Sequence, residues 1–438
     1  MIRAGTISLA LVTWFQATWV CAEPTLAERE QLALNEATAS VADSVVQIRT
    51  VGGLDRVGRK LLSQGPTTGL IVSADGYIVS SAFHFAGRPS SILVQLASGE
   101  QLAAELVSRD KNRMLVLLKI AAGHDLPVPI ATPRDDIRVG QWAVALGRTF
   151  QSDQVGVSVG IVSALNRKYG RVLQTDANCS VANYGGPLVD VAGRVLGVLV
   201  PMSPESGGGA ADSELAGAEY YDSGIGFAVP LEHVFGVLQR WRQGEDLLAG
   251  KLGIGLASGN AHLTSPKIVS VWPDSPAAKA GWKAKDLITT VNGVQVETQA
   301  QLRFQIMPLY AGDSVNVVLQ RGDEQLDTEV LLTGKLAPYR HAFLGILPAR
   351  NPSEADPPGV VVRHVWPESP ADKSGVVAGD RITQLKATKT AATTDARVVL
   401  AGLHPGAEMS LQVVRDDETL SLSAILSSTP EDIPTTWH

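Results

Sequence analysis

The chain has 438 residues, of which 45% are hydrophobic and 18% charged, and its formal net charge is −7. That length exceeds one ordinary domain, and the apolar content supplies more than one core. The acidic excess leaves no electrostatic footprint for nucleic acid or an anionic membrane, so no nucleic-acid partner is expected.

Met1-Ile2-Arg3, an apolar run to Val20, and Cys21-Ala22 ahead of Glu23-Pro24 have the cationic start, greasy middle and small-residue end of a secretory signal. The expectation is a signal peptide over residues 1–22 and a secreted or periplasmic protein. The alternative is a membrane anchor left uncleaved, although the run is short and interrupted for a bilayer span. Cleavage leaves Cys179 as the only cysteine and no intramolecular disulfide. Residues 23–43 form a helical lead-in, with helix predicted over 25–37, Thr25 as N-cap and Glu28 three residues on.

Short β-branched runs punctuated by glycine begin at Ser44. Three carry motifs: Gly76-Tyr77-Ile78-Val79-Ser80-Ser81-Ala82-Phe83-His84, Asp110-Lys111-Asn112-Arg113-Met114-Leu115-Val116-Leu117-Leu118-Lys119, and Asn178-Cys179-Ser180-Val181-Ala182-Asn183-Tyr184-Gly185-Gly186-Pro187-Leu188. Residues 157–164 read as a core strand, 203–223 as a glycine-rich loop, and 235–241 as helix. Farther on, Val271-Trp272-Pro273-Asp274-Ser275-Pro276-Ala277-Ala278 recurs as Val365-Trp366-Pro367-Glu368-Ser369-Pro370-Ala371-Asp372. Each copy follows a Leu-Gly-Ile, at Leu252-Gly253-Ile254 and at Leu344-Gly345-Ile346. A period of about 94 residues suits tandem domains rather than a solenoid.

The Gly-Gly-Pro-Leu loop resembles the nucleophile loop of trypsin-fold serine proteases, and the other two motifs resemble the histidine and aspartate strands of the HtrA/Deg family. The repeats resemble PDZ domains. The resemblance implies a mostly β fold, a trypsin-like double β-barrel over residues 44–245 followed by two α+β PDZ domains at 246–336 and 340–428. It also places the catalytic histidine at Phe83, the aspartate at Met114 and the serine at Tyr184. None of these can serve as base, orienting carboxylate or activated nucleophile. A tyrosine phenol, with a pKa of about 10, is a poor nucleophile there and fills the space a scissile bond needs.

The expected function is therefore an HtrA/Deg-like pseudoprotease, a quality-control or scaffold protein of the cell envelope. Its partners would be unfolded segments or C-terminal peptides, and it would form a homo-trimer or associate with an active homologue. The alternative is an active endopeptidase whose base has shifted to His84. Cys179 reads as a buried inert thiol and Ser180 as a turn residue. In both PDZ-like copies the Leu-Gly-Ile residues would hold a peptide carboxylate, with groove walls at residues 299–307 and 395–401. Pro348, Pro352, Pro357 and Pro358 make the second groove irregular. No metal or cofactor is expected, since the histidines are dispersed and no phosphate-cradling loop occurs.

Overall fold

A computed structural model describes residues 24–52, 56–57, 60–61, 66–86, 89–148, 154–181, 183–201, 224–337, 342–349, 357–401, 403 and 405–430. The expected signal peptide, the 203–223 loop and Pro352 lie outside the described residues.

Helix α1 (Leu26–Ala42) begins with a reciprocal cap, Glu28 N–H donating to Thr25 Oγ1 while Thr25 N–H donates to the Glu28 carboxylate at 2.8 Å. It runs past the predicted end at Ala37 because Ala37 and Val41 are buried. Strand β1 (Val45–Val51), a small hairpin β2 (Arg56–Val57) and β3 (Lys60–Leu61), β4 (Thr67–Ile71), β5 (Tyr77–Ser81), β6 (Ser91–Gln95), β7 (Gln101–Asp110) and β8 (Leu115–Ile120) follow. Six of these close a barrel in the order β1-β4-β5-β8-β7-β6.

A second barrel closes from β9 (Trp142–Gly147), β10 (Gly156–Asn166), β11 (Val172–Thr175), β12 (Pro187–Val189), β13 (Val195–Val200) and β14 (Gly226–Pro230), in the order β10-β11-β14-β13-β12-β9. The turn α2 (Arg167–Gly170) joins β10 to β11. Strand β10 is less of a core strand than its sequence implies. Only Val162 is buried, whereas Val157 and Val159 are exposed and face an open groove beside α1. Helix α3 (Leu231–Arg242) seals the barrels with the fully buried Trp241, whose carbonyl accepts from Ser108 Oγ at 2.9 Å.

The first PDZ unit comprises β15 (Ile254–Leu256), β16 (Ile268–Val271), α4 (Pro276–Lys279), β17 (Leu287–Val291), β18 (Val294–Gln295), α5 (Gln299–Ile306), β19 (Ser314–Arg321) and β20 (Glu324–Leu331). The second repeats the plan with β21 (Ala342–Phe343), β22 (Ile346–Pro348), β23 (Val360–Val365), α6 (Pro370–Lys373), β24 (Arg381–Leu385), β25 (Thr388–Lys389), α7 (Thr393–Ala401), β26 (Glu408–Arg415), β27 (Glu418–Ile425) and β28 (Ser427–Ser428). Each has its own apolar core.

The sequence repeat extends to Asp286-Leu287-Ile288 and Asp380-Arg381-Ile382, and these two aspartates staple the cores. Arg321 grips Asp286 with two nitrogens at 2.8 and 2.7 Å, and Arg415 grips Asp380 at 2.7 and 2.9 Å. Both carboxylates are buried and also accept a backbone N–H, from Lys283 and Val377. The Arg321 bonds hold Asp286 below the usual carboxylate range, while at Asp380 burial pushes the other way and the Arg415 bonds outweigh it.

Candidate functional site

Of the three residues singled out by the resemblance, Phe83 and Tyr184 meet ring to ring, and Met114 is tied beside them through Ala82. Ser81 ends β5 and its hydroxyl accepts Phe83 N–H at 3.3 Å, capping a short 3-10 turn over Ala82–Phe85. The β5–β8 register pairs Ser81 with Leu115, so Ala82 N–H donates to Met114 O at 2.8 Å and sets Met114 alongside that turn. Met114 itself adopts a left-handed backbone, φ 59°. Tyr184 arrives on the glycine turn, with Thr67 Oγ1 donating to its carbonyl at 3.0 Å. The rings of Phe83 and Tyr184 meet edge to face with centroids 6.1 Å apart. Exposure of Phe83, Met114 and Tyr184 is 6%, 7% and 5%.

The turn that would supply an oxyanion hole is folded in on itself. Asn183 N–H donates to Ser180 O at 2.9 Å, Tyr184 N–H to Val181 O at 3.3 Å, and Gly186 N–H to Asn183 O at 2.8 Å. An oxyanion needs such donors aimed at open space. Both glycines are required by crowding: a Cβ on Gly185 would stand 2.3 Å from Thr68 O, and one on Gly186 would stand 2.2 Å from Leu146 O.

The candidate substitutes are His84, Cys179 and Ser180. His84 is half-buried as a residue, yet both ring nitrogens are shielded from water and have no hydrogen-bond partner among the described residues. Burial lowers its pKa to about 4, and its ring packs edge-on against Phe83, centroids 5.2 Å apart. Cys179 is buried in the second barrel, which pushes its thiol up to about 12. Ser180 donates both its hydroxyl and its N–H to Asn183 Oδ1, at 3.1 and 3.0 Å.

In the first PDZ unit, Ser275 caps α4, accepting Ala278 N–H at 3.1 Å. Trp272 N–H donates to Gly253 O at 2.9 Å and Ala277 N–H to Leu252 O at 3.0 Å. The carbonyls of Leu252-Gly253 are thus tied back, while their N–H groups bond to no other described residue. This loop heads an apolar groove of about 250 Å³ lined by Ile254, Leu256, Trp272, Leu302, Ile306 and Met307. Such a cradle of free N–H groups beside an apolar trough suits a carboxylate followed by a greasy side chain.

The second unit copies the loop. Trp366 N–H donates to Gly345 O at 2.9 Å and Ala371 N–H to Leu344 O at 2.8 Å, and Ile346 opens β22. Its rim differs, because β22 shifts register at Pro348 and Trp366 meets Phe343 and His364 edge to face.

A polar junction between the first barrel and the first PDZ unit has no local signature in the sequence, since its partners stand 200 positions apart. The Tyr310 hydroxyl donates to Asp110 Oδ2, and His233 Nε2 lies 3.0 Å from the same hydroxyl. Asn112 and Arg113 N–H both donate to Asp110 Oδ1 at 2.9 Å. The guanidinium of Arg113 covers the Tyr310 ring at 4.8 Å and donates to Pro308 O. Burial raises the Asp110 pKa against the pull of Arg113, and burial lowers His233 to about 3. Among the described residues no cluster of potential metal ligands exists.

A trypsin-like peptidase domain matches residues 67–198, and a PDZ domain matches residues 250–332 and again 342–426. The periplasmic serine endoprotease DegP of Escherichia coli is 30% identical over 374 residues, spanning 81% of this chain and 75% of that protein. A probable periplasmic serine endoprotease, DegP-like, of Pseudomonas fluorescens is 29% identical over 394 residues, spanning 82% and 79%. Among solved structures, the HtrA-type protease AlgW with tripeptide is 25% identical with a TM-score of 0.54, covering 70% of this chain and 98% of that one. The serine endoprotease from Yersinia pestis is 27% identical with a TM-score of 0.50, covering 68% and 97%. With a double barrel carrying a Gly-Gly-Pro-Leu turn and two PDZ domains behind it, the chain belongs to the HtrA/Deg family.

Proposed function

We propose that this HtrA/Deg family member is a pseudoprotease, a peptide- and misfolded-protein-binding component of cell-envelope quality control. The reading rests above all on one observation: Phe83 and Tyr184, which the resemblance sets at the places of base and nucleophile, pack edge to face. The occupied turn donors and the buried, unpartnered nitrogens of His84 support it. His84 would need a hydrogen bond to a nucleophile to act as base, and neither of its ring nitrogens has a partner among the described residues. Ser180 is held by Asn183, and the Tyr184 phenol has the wrong reach and acidity.

Peptide capture is assigned to the PDZ grooves, with Leu252-Gly253-Ile254 in the first and Leu344-Gly345-Ile346 in the second as carboxylate loops. The periplasmic naming of the relatives and the signal-like residues 1–22 support an envelope location, and homo-trimers or assemblies with an active homologue are the proposed quaternary states. Purified protein is expected to leave casein and a reduced, unfolded substrate uncut while binding free-acid peptides. Turnover that survives Cys179→Ala and disappears in His84→Ala would establish the alternative endopeptidase instead.

A further inference from the structure

The first PDZ domain is expected to end at residue 336, but the stretches that match the domain stop at 332 and resume at 342, which puts Leu336 in the segment joining them. Even so, its side chain lines the first groove with Leu252, Ile254, Leu302 and Ile306. Its Cδ2 lies 3.1 Å from where a Cβ on Gly253 would be, against the carboxylate loop itself. Backbone pairing brings it there. Lys251 N–H donates to Thr333 O at 2.8 Å, and Thr333 Oγ1 donates to Lys335 O at 2.9 Å, turning the next residue back toward the loop. Leu336 is half-buried, so an apolar face remains open beside about 250 Å³ of free space. The second unit places a different residue here: Phe343, which precedes its loop, has Cε1 3.3 Å from a Cβ position on Gly345.

We propose that Leu336 is a specificity-determining residue of the first groove, contributed by the interdomain linker, and that a bound peptide's C-terminal side chain packs against it. Resting on the C-terminal capture reading above, the inference adds two consequences. Large apolar C-terminal side chains are favoured because they cover the open face of Leu336, and peptide binding pins the linker that leads to the second PDZ domain.

The test uses the full chain and labelled free-acid peptides ending in leucine or alanine, with affinities read by fluorescence anisotropy. Leu336→Ala is expected to weaken the leucine-ended peptide about three- to tenfold and the alanine-ended peptide less than about twofold, with Leu336→Met near wild type. The leucine-ended peptide is also expected to slow trypsin cleavage after Lys335 in the wild type more than in Leu336→Ala. Unchanged melting of the variants keeps the comparison interpretable, as expected for a half-exposed position. Equal losses for both peptides, no loss, or tighter binding by Leu336→Ala would overturn the proposal. Wild-type binding that is absent, or equal for acid and amide peptides, would overturn C-terminal capture itself and this inference with it.

Discussion

Removing one hydroxyl from the barrel–PDZ junction tests whether the two units are held by a charged hydrogen-bond chain. The Tyr310 hydroxyl has a single proton, which goes to Asp110 Oδ2, so the oxygen must accept from His233 Nε2–H at 3.0 Å. Tyr310→Phe keeps the ring under Arg113 and Arg240 but leaves a carboxylate oxygen and an imidazole N–H without that partner. Asp110 is only 1% exposed, so water does not readily replace the bond. A hydrogen bond to a charged group contributes about 1.5–3 kcal/mol. That corresponds to roughly a 10- to 150-fold rise in the opening equilibrium of the junction.

Hydrogen–deuterium exchange reads this locally, because the amides of Asn112 and Arg113 are protected by Asp110 Oδ1. Exchange of a peptide spanning 108–114 is expected to accelerate at least about tenfold in Tyr310→Phe. Tyr310→Ala should exceed it, since losing a buried aromatic ring costs about 3–5 kcal/mol. Exchange unchanged within about threefold in Tyr310→Phe would refute the assignment of strength to this bond.

Acidification should destabilise the barrels through His84 and His233. Both are held neutral, so the unfolded chain takes up protons first below about pH 6.5, and stability present above that pH is lost as pH falls toward about 4 and about 3. Asp110, raised by burial, works in the opposite direction, so urea midpoints at pH 7.5 and 5 should be compared between wild type and His84→Gln or His233→Gln. Each variant is expected to reduce the pH difference by about 1–2 kcal/mol, and an identical pH profile would count against the buried neutral state. Tyr184→Ser alone should cut casein no faster than wild type, because Phe83 supplies no base; strong activity would show that the base lies elsewhere. Gly253→Ala places a Cβ 2.2 Å from Ser275 Cβ at φ 79°, so free-acid peptide affinity should fall about tenfold or more by calorimetry. Asp286→Ala strands three donors, two of them on Arg321, and should destabilise the first PDZ unit by about 1–3 kcal/mol in urea unfolding while leaving the Asp380 staple intact.

Local chemistry explains what could be read in the sequence. The Thr25 cap and the Ser275 and Ser369 caps with proline one step inside are determined by neighbours within a few residues, so their motifs announce them, whereas the crowding at Gly185 and Gly186 comes from Thr68 and Leu146, far away in the chain. The repeated aspartates were visible as positions, but the arginines that grip them lie 35 residues on and take meaning only once β19 and β26 pair with β17 and β24. Strand β10 misled because its valines carry β propensity, which is silent about which side of a barrel faces water. The Asp110–Tyr310–His233 junction was illegible, since three distant elements must dock before any of its polarity is satisfied.

Met114 carries a consequence for the mutational history open to this fold. Its left-handed backbone follows directly on the tight turn in which Asp110 accepts from Asn112 and Arg113. A left-handed residue costs an ordinary L side chain roughly 1–2 kcal/mol, least for asparagine, aspartate and glycine. The buried surroundings favour methionine while the main chain favours a short polar residue. Drift at position 114 is therefore channelled: valine and isoleucine are disfavoured by the backbone, and the cheapest conformational exits lead to glycine, asparagine or aspartate. A saturation library selected for stability should reveal that asymmetry, with the peptide plane holding open a route that the side chain's neighbours resist.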